Sequence, residues 1–459
     1  MSGLSGPIGG APILALLLVG LAAPVGADLA AGGVGATWSL AGDTGTQASA
    51  RDVASRLLRG AREPQTFDAR SATRGIASLG PPVVPALLLM LAERNVPAVG
   101  DLPRQGLSSL QESVVLAALA RMGGDAVEAA LVPWLAGETS IRARAAALLA
   151  LGEVAPPDGL PRMLAIALTE EEEALDPALE KALRHGVAGV LERSDRALAV
   201  LERNWRLGRP ELIPALALAV GDTRDPRGVA MLADVLTWHA EHGLLLMSQI
   251  QVIGPSPRRS VNRELGLMLA PLLRGDDARL ASSALLTLAA IRDEALIPRA
   301  IELLEGDSEA LATDAYSALR KVSGVSFPPV RSMWRHWHKS EVEWFARDSR
   351  HAIDRLRSAK NEEIVAAIRT LSEHRLYRAE LVDALAEALD HPSPAIRVHV
   401  CRGLQQLGTE AAVPALVQAL DDTTEQVRKA AWLALVALTG LNDPPGAPVW
   451  RALDQVSER

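Results

Sequence analysis

Thr409-Glu410-Ala411-Ala412-Val413-Pro414-Ala415-Leu416, with the chain that follows to Leu438, decides the fold of this protein. A proline just inside an apolar start suits the first turn of a helix, where its missing N–H costs nothing. Further on, Val427, Ala430, Ala431, Ala434, Leu435 and Leu438 fall at i, i+3, i+4, i+7, i+8 and i+11, one apolar stripe on a second helix. The proline-led start recurs at Val84-Pro85-Ala86-Leu87, Val132-Pro133-Trp134-Leu135, Leu160-Pro161-Arg162-Met163 and Ile297-Pro298-Arg299-Ala300. Ala-rich stretches led by Arg142, Arg279, Arg397 and Arg428 alternate with these starts. Self-similarity at a period of about thirty residues marks a solenoid, in which each helix pair buries its apolar face only by stacking on its neighbours. Leu79-Gly80, Met122-Gly123, Leu151-Gly152, Val220-Gly221 and Leu407-Gly408 place glycine where a helix is expected to exit through a left-handed residue.

These prolines, Arg-led second helices and Leu-Gly endings resemble the HEAT-repeat family, in particular short bacterial repeats of the phycobilisome-lyase-like kind. The resemblance runs over most of residues 51–459 and is plainest in 79–152, 275–322 and 376–440. It implies an all-α fold, a right-handed α-solenoid of stacked antiparallel helix pairs. It also implies work by contact with another macromolecule, since arrays of this kind serve many partners. A lyase or enzyme subunit resembling the HEAT-repeat bilin lyases is the alternative that the same resemblance carries.

A second repeat overlies the first. Leu319-Arg320-Lys321-Val322-Ser323-Gly324 is followed by Pro328-Pro329 and Trp334-Arg335; Leu435-Val436-Ala437-Leu438-Thr439-Gly440 is followed by Pro444-Pro445 and Trp450-Arg451 at the same offsets. Two such Gly-to-Trp elements, at 324–335 and 440–451, suggest a duplicated block in which each element folds over an exposed apolar edge. The loop Gly254-Pro255-Ser256-Pro257-Arg258-Arg259 interrupts the pattern and reads as a boundary between an N-terminal block, 51–253, and a C-terminal block, 260–459.

The chain of 459 residues is nearly half apolar, only 3% aromatic, and carries a net charge of −8, a balance that argues against nucleic acid as the ligand. Residues 13–23 are uncharged and mostly apolar, and Val25-Gly26-Ala27 fits a small-x-small cleavage site, so residues 1–27 read as a signal peptide and 28–50 as a flexible Gly/Ala-rich leader. Export to a periplasmic or extracellular space follows. No Lys or Arg precedes Arg51, and an uncleaved membrane anchor through residues 8–27 is the alternative.

No constellation for catalysis, cofactor or metal is identified. Cys401 is alone and reads as a small buried hydrophobe. His239 and His242 lack a third ligand, His336 and His338 point to different sides of a helix, and Glu170–Glu173 reads as a charged turn. The stretch 331–351 stands out. Arg331, Trp334, Arg335, Trp337, Lys339 and Trp344 are the candidates for contact with a protein partner, because Trp and Arg dominate interface energetics. For Trp334 the competing reading is core packing, which the parallel Trp450 favours. The leading arginines read as hydrogen-bond donors to inter-repeat turns. Together these features describe an exported, non-catalytic repeat scaffold, its oligomeric state not legible. N-terminal sequencing of the native protein is expected to begin at Asp28; an intact Met1 on soluble cytoplasmic protein would remove the export reading.

Overall fold

The computed structural model describes residues 44–59, 67–93, 95–96, 105–135, 140–168, 174–205, 209–439, 441, 443–447 and 450. The segment read as a signal peptide, the acidic run at 170–173, Gly440 and Arg451 lie outside the described residues, as does most of the segment read as leader. The helix Thr44–Arg59 already opens inside the segment read as leader, and its Ala50 is buried. From Thr46 onward the described residues form one compact unit.

That unit is an all-α solenoid of stacked helix pairs, with 23 α-helices among the described residues and one two-residue antiparallel ladder, Asn95–Val96 with Gln105–Gly106. One layer runs through Ala69–Ala77, Ser109–Met122, Ile141–Val154, Pro177–Arg193, Ile213–Thr223, Gly243–Ile253, Ala278–Ala290 and Glu309–Ser323, each packed on the next. The intervening helices, among them Leu160–Ala167, Gly228–Trp238 and Ile297–Leu303, form the second layer. Pro161, Pro214, Pro298 and Pro414 each sit in a helix's first turn, entered through a 3₁₀ turn (Pro157–Gly159, Pro210–Leu212, Glu294–Leu296, Glu410–Ala412). Pro133 does not open its helix, which begins at Gly124 because Gly123, at φ 94°, ends the helix before it and lets the next start at once.

Two of the expected stops are not stops. Gly152 lies inside Ile141–Val154, and a Cβ there would stand 2.4 Å from the Cα of Gly186 on the neighbouring helix. Gly221 lies inside Ile213–Thr223, which ends through Arg224 at φ 52°. At Gly152 the glycine serves close helix approach, not termination.

The duplication is literal. Ala278–Ala290, Glu294–Leu296, Ile297–Leu303 and Glu309–Ser323 recur 116 residues later as Pro394–Leu407, Glu410–Ala412, Val413–Ala419 and Glu425–Thr439. The closing elements repeat bond for bond. Trp334 Nε1 donates to the Pro328 carbonyl and Trp450 Nε1 to that of Pro444, both at 2.9 Å. The Tyr316 hydroxyl donates to Phe327 O and Trp432 Nε1 to Asp443 O, at 2.9 and 2.7 Å. Both indoles are sealed, Trp334 at 0% and Trp450 at 1% exposure. A buried indole with its N–H satisfied combines large apolar area with no orphaned donor.

The core divides at these plugs and not at 254–259. One buried cluster runs from Ala50 to Trp334, carrying Ile250, Leu265 and Leu269 across the expected boundary, and adds only Leu376 from later in the chain. A second runs from Ala352 to Trp450. The loop at 254–259 interrupts the pattern because it is closed locally, by Asn262 bonding both the N–H and the carbonyl of Ser256 at 2.8 Å. Truncating Trp334 or Trp450 to Ala is expected to cost ~3–5 kcal/mol each, read as a lowered denaturant midpoint. An unchanged midpoint for either would show that its indole is not a plug.

Candidate functional site

The helix Arg331–Arg347 connects the two cores, and most of its distinctive side chains are committed to that task. Trp334 meets Phe327 and Trp337 edge-on, with ring centroids 5.5 and 5.7 Å away. Trp337 is half-buried in the same cluster. Trp344 stacks on His374 and Phe345 on Tyr377, so the far end of the helix holds the turn before Arg378–Ala386. Arg331 donates to the Glu302 carbonyl at 2.7 Å and pairs with Glu305 at 3.1 Å. Arg335, His336, Lys339, Arg347, Arg350 and His351 remain as exposed basic groups in the stretch 331–351, and Lys339 lies 3.7 Å from Glu343. The aromatic half of the expected patch is therefore packing, because a helix bridging two cores must bury side chains at both ends.

Glu341, on the same helix, fixes the turn it faces. Its carboxylate accepts the N–H groups of Arg375 (2.9 Å) and Leu376 (3.3 Å), and His374 Nδ1 lies 3.2 Å away. Burial pushes this carboxyl up, but the bonds from His374 and the two N–H groups outweigh it and leave it below the usual range.

The leading arginines divide. Arg397 is bidentate to Asp422 at 2.7 and 2.9 Å and donates to His391 O, while Arg428 donates to Asp422 O; both stitch turns, as the sequence suggests. Arg142 and Arg279 are exposed. His239 Nδ1 contacts Glu241 at 2.9 Å, in an exposed turn. Cys401 is buried and its thiol is pushed up to about 12, mainly by that burial, which removes it as a nucleophile at neutral pH.

An open groove of about 370 Å³ crosses three successive helices of one layer. Ser109, Glu112, Ser113, Leu116 and Ala117 line it from Ser109–Met122; Leu149 and Glu153 from Ile141–Val154; Lys181, Ala182 and His185 from Pro177–Arg193. The spacings are i, i+3, i+4, i+7 and i+8 on the first helix, i and i+4 on the second and i, i+1 and i+4 on the third, so one face of each helix lines the groove. Leu116, Leu149 and Ala182 are its apolar part, and Glu112, Lys181, Glu153 and His185 share the lining, the last two 3.9 Å apart. Sequence reasoning missed it because these positions look like ordinary polar helix faces. It also missed Trp238, 75% exposed at the end of Gly228–Trp238. The signal was present: Val229, Leu232 and Leu236 set the buried stripe, and Trp238 lies off it.

Residues 349–436 match the family described as HEAT repeats. No curated protein matches the sequence. Among solved structures, the chain is similar to an engineered protein at 19% identity and TM-score 0.29, covering 85% of this chain and 94% of that one. It is similar to a chain of the Kap95:Nup1 complex at 14% and 0.37, covering 86% and 55%, and to Kap121p at 12% and 0.35, covering 90% and 51%. The chain thus spans about half the length of the latter two.

Replacing Glu341 by Gln is expected to cost about 1.5–3 kcal/mol at pH 7, the worth of hydrogen bonds to a charged group. A depressed folded-state value stabilises above the unfolded value of about 4.3 and is lost as pH falls through the folded value. The gap between the melts of the variant and the parent should therefore narrow as pH falls below the unfolded value of about 4.3 and on through the lower folded value; a gap of constant size would show that charge is not the cause.

Proposed function

We propose that the protein is an exported, non-catalytic scaffold that holds an extended segment of a protein partner in the groove over Ser109–Met122, Ile141–Val154 and Pro177–Arg193. The observation that carries this reading is the groove itself, an open pocket lined from three successive helices by both apolar and polar side chains. A peptide laid across stacked helices would bury apolar side chains on Leu116, Leu149 and Ala182. Its polar groups would meet Glu112, Lys181 and the neighbouring Glu153 and His185, which lie 3.9 Å apart, and that pattern of polar groups sets register. Residues 13–27, an apolar stretch ending in Val25-Gly26-Ala27, support export. The HEAT repeats at 349–436 support a scaffold role.

A photo-crosslinking amino acid placed at Ala117, in the groove, is expected to capture a protein in cells, whereas the same group at exposed Ala310 is not. Lys181→Glu should reduce that adduct about tenfold, the effect of losing ~1.4 kcal/mol, without changing the melting curve. Equal adducts at the two positions, or an adduct indifferent to Lys181→Glu, would overturn the groove as the site.

A further inference from the structure

The two cores share almost no apolar surface. Apart from the helix Arg331–Arg347, which runs covalently from one to the other, Leu376 is the one buried side chain of the later segment that enters the first core. Tyr377, half-buried against the first core, stacks on Phe345 of that helix, and the rest of the closure is polar. Glu294 accepts the N–H of Tyr377 at 2.6 Å and a bond from Arg378 Nε at 3.3 Å, and Arg378 also donates to the Val322 carbonyl. Arg292 donates to the Gly408 carbonyl at 2.5 Å and pairs with Glu410 at 3.2 Å. At the margin, Arg259 is bidentate to Asp383 at 3.1 Å.

Two of the three non-glycine residues with left-handed backbone, Arg292 and Tyr377, both at φ 57°, sit on the two sides of this joint among the described residues. The duplication shows what that means at Arg292. Its counterpart 116 residues on is Gly408, at φ 66°, the residue suited to such a turn. The first copy carries an arginine in a conformation that disfavours it, and the guanidinium reaches across to the carbonyl of that same Gly408. Tyr377 has no strained counterpart, since Val261 lies within the helix Arg259–Leu269. Strain of this kind persists only where surrounding bonds hold it.

We propose that this joint is a latch: the segment 352–450 is clasped to the N-terminal part of the solenoid by Arg292, Glu294 and Arg378, and swings about the helix Arg331–Arg347 when the clasp opens, with both cores intact. The cores have their own plugs, Trp334 and Trp450, so opening exposes little beyond Leu376 and the ring of Tyr377. The clasped charges return to water on opening, where burial no longer disfavours them. Burial raises Glu294 and lowers Arg378, so each charged form is held against its own desolvation. Segments closed by exposed and half-buried polar bonds open at free energies well below that of global unfolding.

Spin labels on the full chain, at exposed Arg274→Cys and Glu425→Cys, report the distance between the two sides while buried Cys401 stays unlabelled. The parent should give one narrow distribution. Arg292→Gly removes the guanidinium while giving the turn the residue its backbone prefers, so a merely local role predicts an unchanged distribution and an equal or higher melting point. The latch predicts a second, separate distance population without loss of helix, growing further with Arg378→Ala, and a melting curve that splits in two. If Arg378→Ala alone loses helical signal, Arg292→Gly decides the matter. A single narrow distance in Arg292→Gly overturns the latch.

Discussion

A stack of helix pairs is open at its ends, and in this protein the indole of Trp334, with its N–H on the Pro328 carbonyl, is what closes the first stack. Everything downstream depends on that closure. Because Trp334 completes one core, the helix that carries it can continue outward and begin a second one at Ala352. The second core then ends in the same way, at Trp450 on Pro444. A solenoid without such plugs would have to grow evenly through neighbour contacts. Here it is divided into two sealed lengths joined by one helix.

The fold was legible because its signals are periodic and local. Proline at the first helical turn, the stripe from Val427 to Leu435 and the offset between Gly324 and Trp334 each have a direct physical cause within one helix pair. The glycines at 152 and 221 misled because an apolar-Gly ending and a close helix approach look the same in sequence, and only the neighbours, Gly186 for Gly152 and Gln249 for Gly221, tell them apart. The boundary at 254–259 misled because a loop closed by its own side chains resembles a linker, although the apolar stripes on either side continue one core. Of the aromatic and basic stretch at 331–351, its singularity was legible and its use was not. Which face of a bridging helix is buried depends on what both cores present, and that is a property of the assembled stack.

Glutamates and arginines at the turns divide the same way. Arg397 with Asp422 is a brace from one repeat to the turn of the next, readable from the Arg-led start of its helix. Arg292 with Gly408 and Glu294 with Tyr377 span distances of 116 and 83 residues along the chain, and no spacing rule reports them. Long-range polar contacts of this sort are where a duplicated sequence acquires differences between its copies. The arginine at 292, against the glycine at 408, is such a difference.

The contact between Gly152 and Gly186 bears on the groove that runs beside it. The helices Ile141–Val154 and Pro177–Arg193 meet backbone to backbone there, with Gly189 likewise facing the carbonyl of Gly152. Two helices separated by side chains can shift as rotamers change, whereas helices touching through their main chains have no such freedom. Leu149, Lys181 and His185 are thus mounted on a pair of helices locked main chain to main chain. A ligand settling there would meet a surface already in its final form, with little ordering left to accomplish, and a ligand of the wrong shape would find nothing that yields.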